Sequence, residues 1–276
     1  KLIAMRRERG DQRAVTIIDT APDDQLQPRV ERYGYLKPGD RVTIERPQLF
    51  DIATRSQVAV EHSHAPNPYD TREVRWRADG RAFTYEHNAR GHQHYRVIEV
   101  DADTGASRIV IDAAPGTFFC YSSKYFSHYR DRPGAVLWMS ERSGWNHLYL
   151  YDWATGEVKH PVTQGDWVVR SIDHIDDEQG VVWFWAGGIH DGQDPYYRHY
   201  CRAELDGSGT TPLTASNGTH TAAHVSPNGK YLVTTWSRVD HPPVHELRSA
   251  EPGELIAELA RADASALDDS TWQPME

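Results

Sequence analysis

Cysteine, long apolar runs and excess positive charge are what this 276-residue sequence has least of. Cys120 and Cys201 are its two thiols. Two cysteines so far apart form neither a disulfide framework nor a zinc knuckle, so we expect packed core side chains. No segment approaches the run of about twenty apolar residues that a transmembrane helix needs, and no signal peptide opens the chain. We therefore expect a soluble segment with no membrane partner.

Positive charge is outweighed, with 40 acidic against 30 basic residues and a net charge of −10. Such a balance argues against nucleic acid as a partner. The sequence also lacks the Gly-x-Ser-x-Gly elbow of serine hydrolases, the HExxH zinc motif, the P-loop and the Rossmann glycine pattern. We therefore predict no catalytic residue, no metal ligand and no cofactor in this chain.

What the sequence has instead is a repeated β pattern, seen most clearly from Ser140 to Gly156. An apolar run precedes this stretch, HLYLYD lies within it, and a D-x-x-T-G turn ends it, which is typical of a strand meander. Related turns begin at Asp51, Asp101 and, more loosely, Asp206. The four aspartates are 50, 51 and 54 residues apart.

Two further markers keep the same phase. His94, His147 and His199 each precede an apolar or aromatic residue shortly before a turn aspartate. The turns Arg77–Gly80 and Pro227–Gly229 each join two strand-like runs through Asp-Gly or Asn-Gly. A period near 50 made of short strands predicts an all-β fold, a β-propeller with about four antiparallel strands per blade. The alternative is a β-sandwich with coincidental turns.

The propeller hypothesis has local consequences. We expect four aromatic side chains to be largely buried within or between blades: Trp138, Trp145, Tyr149 and Trp183. Near the start, the patterns predict strands at Lys1–Arg6, Ala14–Asp19 and Arg41–Asp51, with a long excursion between strands over Ala21–Asp40. Pro47 should restrict the third of these strands to an edge or a bulge.

Two clusters are candidates for binding. His62 and His64 could place two imidazoles on one strand face toward a metal, but no third ligand has matching spacing, so solvated loop histidines are the simpler interpretation. An aromatic and hydroxyl-rich segment from Gly116 to Arg132 interrupts the repeat. Its candidate substrate-binding residues are Tyr121, Tyr125, Tyr129 and Arg130. The alternative is that these aromatics only pack between blades.

Four segments in succession carry a family resemblance: SERSGWNHLYLYD, QGDWVVRSID, DPYYRHYCRAELDGSG and WSRVDHPPVHEL. In order and spacing they resemble the amino-terminal β-propeller domain of the dipeptidyl peptidase IV branch of the prolyl oligopeptidase superfamily. The resemblance implies an eight-bladed propeller, of which this chain would hold about five blades, joined to an α/β-hydrolase domain. Residues 1–253 would be the partial propeller. Residues 254–276 would be a last strand or short helix and a linker toward the hydrolase domain.

The resemblance also implies a function. The chain would be the non-catalytic, substrate-gating propeller of a serine exopeptidase that acts on peptide amino termini. Its partners would be peptide substrates and the hydrolase domain of the same parent chain. The family's glutamate pair for the substrate ammonium would lie upstream of Lys1. Uncovered terminal blades would favour a homodimer or a tighter ring. The alternatives are a stand-alone propeller that binds a protein or peptide and, less favoured, a metal-dependent hydrolase built on the histidine clusters.

Overall fold

The computed structural model describes residues 1–121 and 134–265, together with the backbone of residues 127–130. The regular structure of this part consists of β-strands. A helix of the length and apolarity needed to span a bilayer does not occur among these residues. The chain divides into two compact units, Lys1–Phe119 and Cys120–Glu276.

Three sheets make up the first unit. β1 pairs with β4 and β4 with β5, β2 and β3 form a two-stranded hairpin, and β6 to β9 form a four-stranded antiparallel meander. The strands are β1 (Leu2–Glu8), β2 (Ala14–Asp19), β3 (Arg29–Gly34), β4 (Ile44–Asp51), β5 (Ser56–Val58), β6 (Pro68–Trp76), β7 (Ala82–Ala89), β8 (Tyr95–Asp101) and β9 (Ser107–Ala113).

The second unit contains three four-stranded antiparallel meanders of the same kind. The first comprises β10 (Ser127–Arg130), β11 (Ala135–Ser140), β12 (His147–Asp152) and β13 (Val158–Pro161). The second comprises β14 (Val168–Asp176), β15 (Val181–Gly187), β16 (Arg198–Glu204) and β17 (Thr210–Pro212). The third comprises β18 (Thr219–Val225), β19 (Tyr231–Arg238), β20 (His241–Ser249) and β21 (Leu255–Arg261).

These repeated sheets confirm the predicted fold class, an all-β fold of β-propeller type with five blade-like sheets in the described residues. Four of the sheets have the expected four strands, and the first has three. The core between neighbouring sheets is apolar. Leu137 and Leu150 of the β10–β13 sheet share one cluster with Val169 and Phe184 of the next sheet. Burying each such side chain contributes about 1.5–3 kcal/mol relative to leaving it in water.

The periodic turn aspartates act as turn caps. Asp101 accepts backbone N–H bonds from Asp103 at 3.0 Å and Thr104 at 2.8 Å. Asp152 accepts the equivalent bonds from Ala154 and Thr155 at 2.9 and 3.0 Å. These bonds to the charged form hold the pKa of both carboxyls below the ordinary value. The D-x-x-T-G spacing is therefore the sequence trace of a side chain that caps its own turn.

The histidine marker corresponds to a second repeated contact, at the start of the third strand in a sheet. The Thr163 hydroxyl accepts from the Leu148 N–H at 3.0 Å and lies 3.0 Å from His147 Nδ1. One sheet later, the Thr214 hydroxyl accepts from the Tyr200 N–H at 2.9 Å. In both sheets a threonine that follows the outer strand fastens the third strand.

The region before β6 differs from the prediction. The excursion expected over Ala21–Asp40 contains a strand, β3, which pairs with β2 along its whole length. Pro47 lies in β4, the central strand of its sheet, but β5 pairs only with Leu49–Asp51. The side of Pro47 that does not face β1 is therefore locally an edge, where the missing N–H costs no ladder bond.

The expected aromatic core is correct at two positions and wrong at one. Trp138 and Tyr149 are buried, whereas Trp145 is 41% exposed because it lies in the β11–β12 turn rather than in a strand. Trp183 is half-buried. Cys201 is buried, and burial raises the pKa of its thiol, while Cys120 is half-buried. At the C-terminal end, Leu255–Arg261 forms a strand, and residues 266–276 lie outside the described residues.

Two turn glycines allow a matched stability test. Both have a left-handed backbone, with φ of +74° at Gly105 and +67° at Gly80. A Cβ at Gly105 would lie 2.0 Å from the Ala59 carbonyl oxygen, whereas a Cβ at Gly80 would meet nothing within 4 Å. We expect Gly80→Ala to lower the free energy of unfolding by about 1–2 kcal/mol from backbone strain alone, and Gly105→Ala to lower it further. Urea unfolding measures both, and equal losses would contradict the backbone contact at Gly105.

Candidate functional site

The four residues predicted to bind substrate lie at the edge of what the structure describes. Tyr121 is half-buried just beyond the first unit. Tyr125 lies outside the described residues, and Tyr129 and Arg130 lie in β10, whose side chains are not described. Their role in binding therefore stays a prediction.

A cavity lies between the β14–β17 and β18–β21 sheets. Its volume of about 750 Å³ is within the range of small-ligand sites. It is lined by Asp173, His174, Gln179, Trp183, Tyr200, Leu213, Ala223, His224, Val225, Ser226, Pro227, Asn228, Gly229, Leu232, Ala250 and Glu251. Sequence reasoning missed it, because its walls come from strands of two different sheets.

The floor of this cavity is apolar and built from strand residues. Tyr200, Leu213 and Leu232 are buried in one cluster, and Trp183 packs against them. Trp183 and Trp185 of β15 are two residues apart, so both project from the same face of the sheet. The His174 ring lies over Trp183 with 5.5 Å between ring centroids. The floor can therefore accept a flat or aliphatic group.

The mouth of the cavity is acidic. The buried Tyr200 hydroxyl donates to Asp173 at 2.7 Å, and burial together with this carboxylate raises the pKa of the phenol. Asp173 is exposed and forms no ion pair with a Lys or Arg in the part of the chain that the structure describes. Glu251 contributes a second carboxylate, which pairs with Arg202. An amphipathic ligand with a positive group matches this combination of floor and mouth.

The chemistry available in the cavity is binding rather than reaction. Its one serine, Ser226, lies 2.7 Å from the side-chain oxygen of Asn228 and accepts from the Tyr231 N–H at 3.0 Å. The hydroxyl therefore holds the β18–β19 turn. A nucleophile needs a base that takes its proton, and the lining shows no such pair.

Buried histidines form a second polar cluster in the same unit. His199 and His220 are 1% and 0% exposed, with ring centroids 5.4 Å apart, and their ring nitrogens have no hydrogen-bond partner. Burial lowers the pKa of His199 to about 4 and that of His220 to about 3. The buried Arg248 guanidinium, which pairs with Glu246 at 2.7 Å, also lowers both pKa values. Both rings are therefore neutral at pH 7.

The alternative of two imidazoles on one strand face at His62 and His64 does not match the structure, which places both residues in a loop, as the simpler interpretation has it. The two residues lie in the loop between β5 and β6, not on a strand, and both are half-buried. Within the ranges the structure describes, no group of three or more His, Cys, Asp or Glu side chains is placed to hold a metal ion.

The comparison with known families decides the identity of this chain. Residues 8–243 match the family model of the dipeptidyl peptidase IV (DPP IV) N-terminal region. The chain belongs to this family. Among curated relatives, a probable dipeptidyl peptidase 4 of Aspergillus flavus is 27% identical over 174 residues, which cover 60% of this chain and 22% of the relative. The dipeptidyl peptidase 4 of Trichophyton rubrum is 22% identical over 192 residues, or 67% of this chain and 24% of the relative. The chain thus spans about a quarter of these proteins.

Solved structures of the family show the same fold. Porphyromonas gingivalis dipeptidyl peptidase 4 superposes with a TM-score of 0.67 at 18% identity, covering 96% of this chain and 36% of that one. A putative dipeptidyl aminopeptidase IV from Bacteroides ovatus gives a TM-score of 0.64 at 17% identity, covering 95% and 38%. At such identities the likeness establishes the fold of this DPP IV-type segment alone.

The buried histidines predict a pH dependence of stability. The unfolded chain binds protons at His199 and His220 near pH 6.5, whereas the folded chain resists them down to about 4 and 3. Stability present at pH 7 should therefore fall as the pH drops below 6.5, in total by a few kcal/mol. Urea unfolding at pH 7, 6 and 5 would measure this loss. His220→Asn should make the dependence shallower, because it removes one of the two buried rings. An equal slope in the unchanged chain and in the variant would contradict the assignment.

Proposed function

We propose that this chain is the non-catalytic, substrate-gating propeller segment of a DPP IV-like serine exopeptidase that acts on peptide amino termini. The observation that carries the proposal is the family match over residues 8–243. The sequence contains no Gly-x-Ser-x-Gly, so a nucleophilic serine would come from an α/β-hydrolase domain of the same parent chain.

The packing of the sheets supports a gating role. The middle strands of the β10–β13 sheet, β11 and β12, are buried on both faces. Side chains that are packed this tightly do not part to admit a bulky substrate, because opening the sheets would expose the apolar cluster around Leu137 and Phe184. A wall of this kind beside an active site would admit short or extended peptides and exclude folded proteins.

A second candidate function is a stand-alone propeller that binds a peptide or small ligand. The cavity between the β14–β17 and β18–β21 sheets favours it, since an apolar floor with an acidic mouth can hold a ligand without any hydrolase domain. The two candidates differ in what the parent gene encodes.

The gene that encodes this chain distinguishes them. We expect its reading frame to carry a Gly-x-Ser-x-Gly elbow within about 200 residues downstream of Glu276, the length of one further domain. The longer protein should hydrolyse Ala-Pro-p-nitroanilide and lose this activity when the elbow serine is replaced by alanine. The present chain alone, as the control, should show no turnover. A reading frame without a hydrolase domain would favour the stand-alone binding function.

Gating makes a separate prediction for the active longer protein. Its kcat/KM for Ala-Pro-p-nitroanilide should exceed, by orders of magnitude, the value for removal of an Ala-Pro dipeptide from a folded protein. A disordered peptide with the same amino terminus serves as the control and should be cleaved well. Equal rates on the folded and the disordered substrate, followed by mass spectrometry, would argue against a gate.

A further inference from the structure

Arg170 and Arg198 both lie against Gly187, at one end of the β14–β17 sheet. In its register Val168 of β14 lies opposite Gly187 of β15, and Gly187 lies opposite Arg198 of β16. The pairing of β14 shifts between Val169 and Ser171, which makes Arg170 the extra residue of a bulge. Bulges re-aim side chains, and this one brings Arg170 toward Gly187.

The guanidinium of Arg170 occupies space above Gly187, where a side chain would otherwise lie. A Cβ at Gly187 would lie 2.8 Å from Nε and 3.3 Å from Nη2 of Arg170. Gly187 is also the direct cross-strand neighbour of Arg198. The missing side chain therefore leaves room for the Arg170 guanidinium beside Arg198, on the sheet face that carries Trp185.

Aromatic rings, rather than carboxylates, hold both arginines. The Arg198 guanidinium lies 4.7 Å from the ring centre of Trp185, and that of Arg170 lies 5.9 Å from the ring centre of Tyr196. The Arg198 Nε is buried without a hydrogen-bond partner. A donor that is buried and unpaired costs free energy, which an incoming acceptor would recover.

Most other arginines of this unit pair with carboxylates. Among the described residues, Arg142 contacts Ser140 and tyrosine rings instead, and four arginines form ion pairs: Arg202, Arg238, Arg248 and Arg261. Arg170 and Arg198 form no ion pair with any Asp or Glu of the described residues, in a protein whose net charge is −10. Each guanidinium therefore keeps a positive charge that no carboxylate of the described residues neutralises, and an anion placed near both would be attracted to both.

We propose that Arg170 and Arg198 form an anion site that binds a peptide carboxylate. The guanidinium forks match a carboxylate geometrically, and Tyr196, 78% exposed, offers an apolar surface for the rest of the peptide. Inorganic phosphate shares the oxyanion chemistry and is the other source to be distinguished. The choice of a peptide as the ligand rests on the proposed function. The binding of an anion does not rest on it, because an anion site needs no hydrolase domain.

The test compares two peptides that differ in one charge. Ala-Pro-Glu amide and its neutral analogue Ala-Pro-Gln amide are titrated into the purified chain by calorimetry at low and at physiological salt. We expect the Glu peptide to bind at least tenfold more tightly, with an affinity that falls as salt rises. Equal binding of the two peptides, or binding indifferent to salt, would overturn the proposal whether or not the longer protein is a peptidase.

Variants locate the site. Arg170→Gln and Arg198→Gln should each reduce binding of the Glu peptide about tenfold or more, and Arg198→Lys should restore part of it because it keeps the charge but not the fork. The matched control is Arg142→Gln, since Arg142 also lies over tyrosine rings, 4.9 Å from that of Tyr149, but in another sheet. Equal losses at Arg142 would overturn the assignment. If inorganic phosphate binds and this binding is lost in the variants, while the Glu peptide does not bind, the site takes phosphate and the peptide carboxylate is ruled out as its ligand.

Discussion

Burial of middle strands on both faces, most complete in the β6–β9, β10–β13 and β14–β17 sheets, is the constraint from which the rest of this structure follows. In β11 and β12 all residues but the last are buried, and β7 and β15 are nearly as enclosed. An isolated sheet of this composition would leave both apolar faces in water. Each meander therefore needs a neighbouring sheet, and the sequence supplies it by repeating the same unit about every 50 residues.

The same constraint explains why short polar motifs recur within an apolar pattern. A sheet enclosed on both faces exposes mainly its turns, so the backbone groups there must be satisfied locally. The aspartates at 101 and 152 do so by capping the turn that follows the third strand, and Thr163 and Thr214 fasten the start of that strand. Repeated polar residues in these sheets therefore report backbone geometry, not chemistry.

Because these polar motifs are local in the sequence, they determine which features of the fold could be predicted from it. The turn aspartates, the histidine marker and the Asp-Gly and Asn-Gly hairpins are local signals, and they predicted the strand order and the sheet type. The strand β2 was predicted with its observed bounds, but its partner β3 was missed because its apolar residue Val30 is exposed and the strand follows no repeat. Trp145 was wrongly predicted to be buried because it is hydrophobic, whereas it lies in a turn and is exposed there.

The binding features could not be predicted because they depend on residues from separate strands. The cavity floor joins Trp183 to Leu232, and the arginine pair depends on a bulge at Arg170 and a glycine seventeen positions later. Residue spacing along the sequence does not reveal such a pair. The one local indication is Gly187, which ends the strongly apolar strand β15 and lacks the side chain that would have filled the space above it.

The register of β15 also relates the two features to each other. Trp183, Trp185 and Gly187 project from one face, and four residues of strand separate the first from the last by about 13 Å. Asp173 lines the cavity at the Trp183 end, Arg170 lies against Gly187 at the other end, and the Arg198 guanidinium lies over Trp185 between them. The face therefore carries a carboxylate toward one end and guanidiniums toward the other, with aromatic rings in the middle. A ligand with one charge of each sign and an apolar middle would match this order.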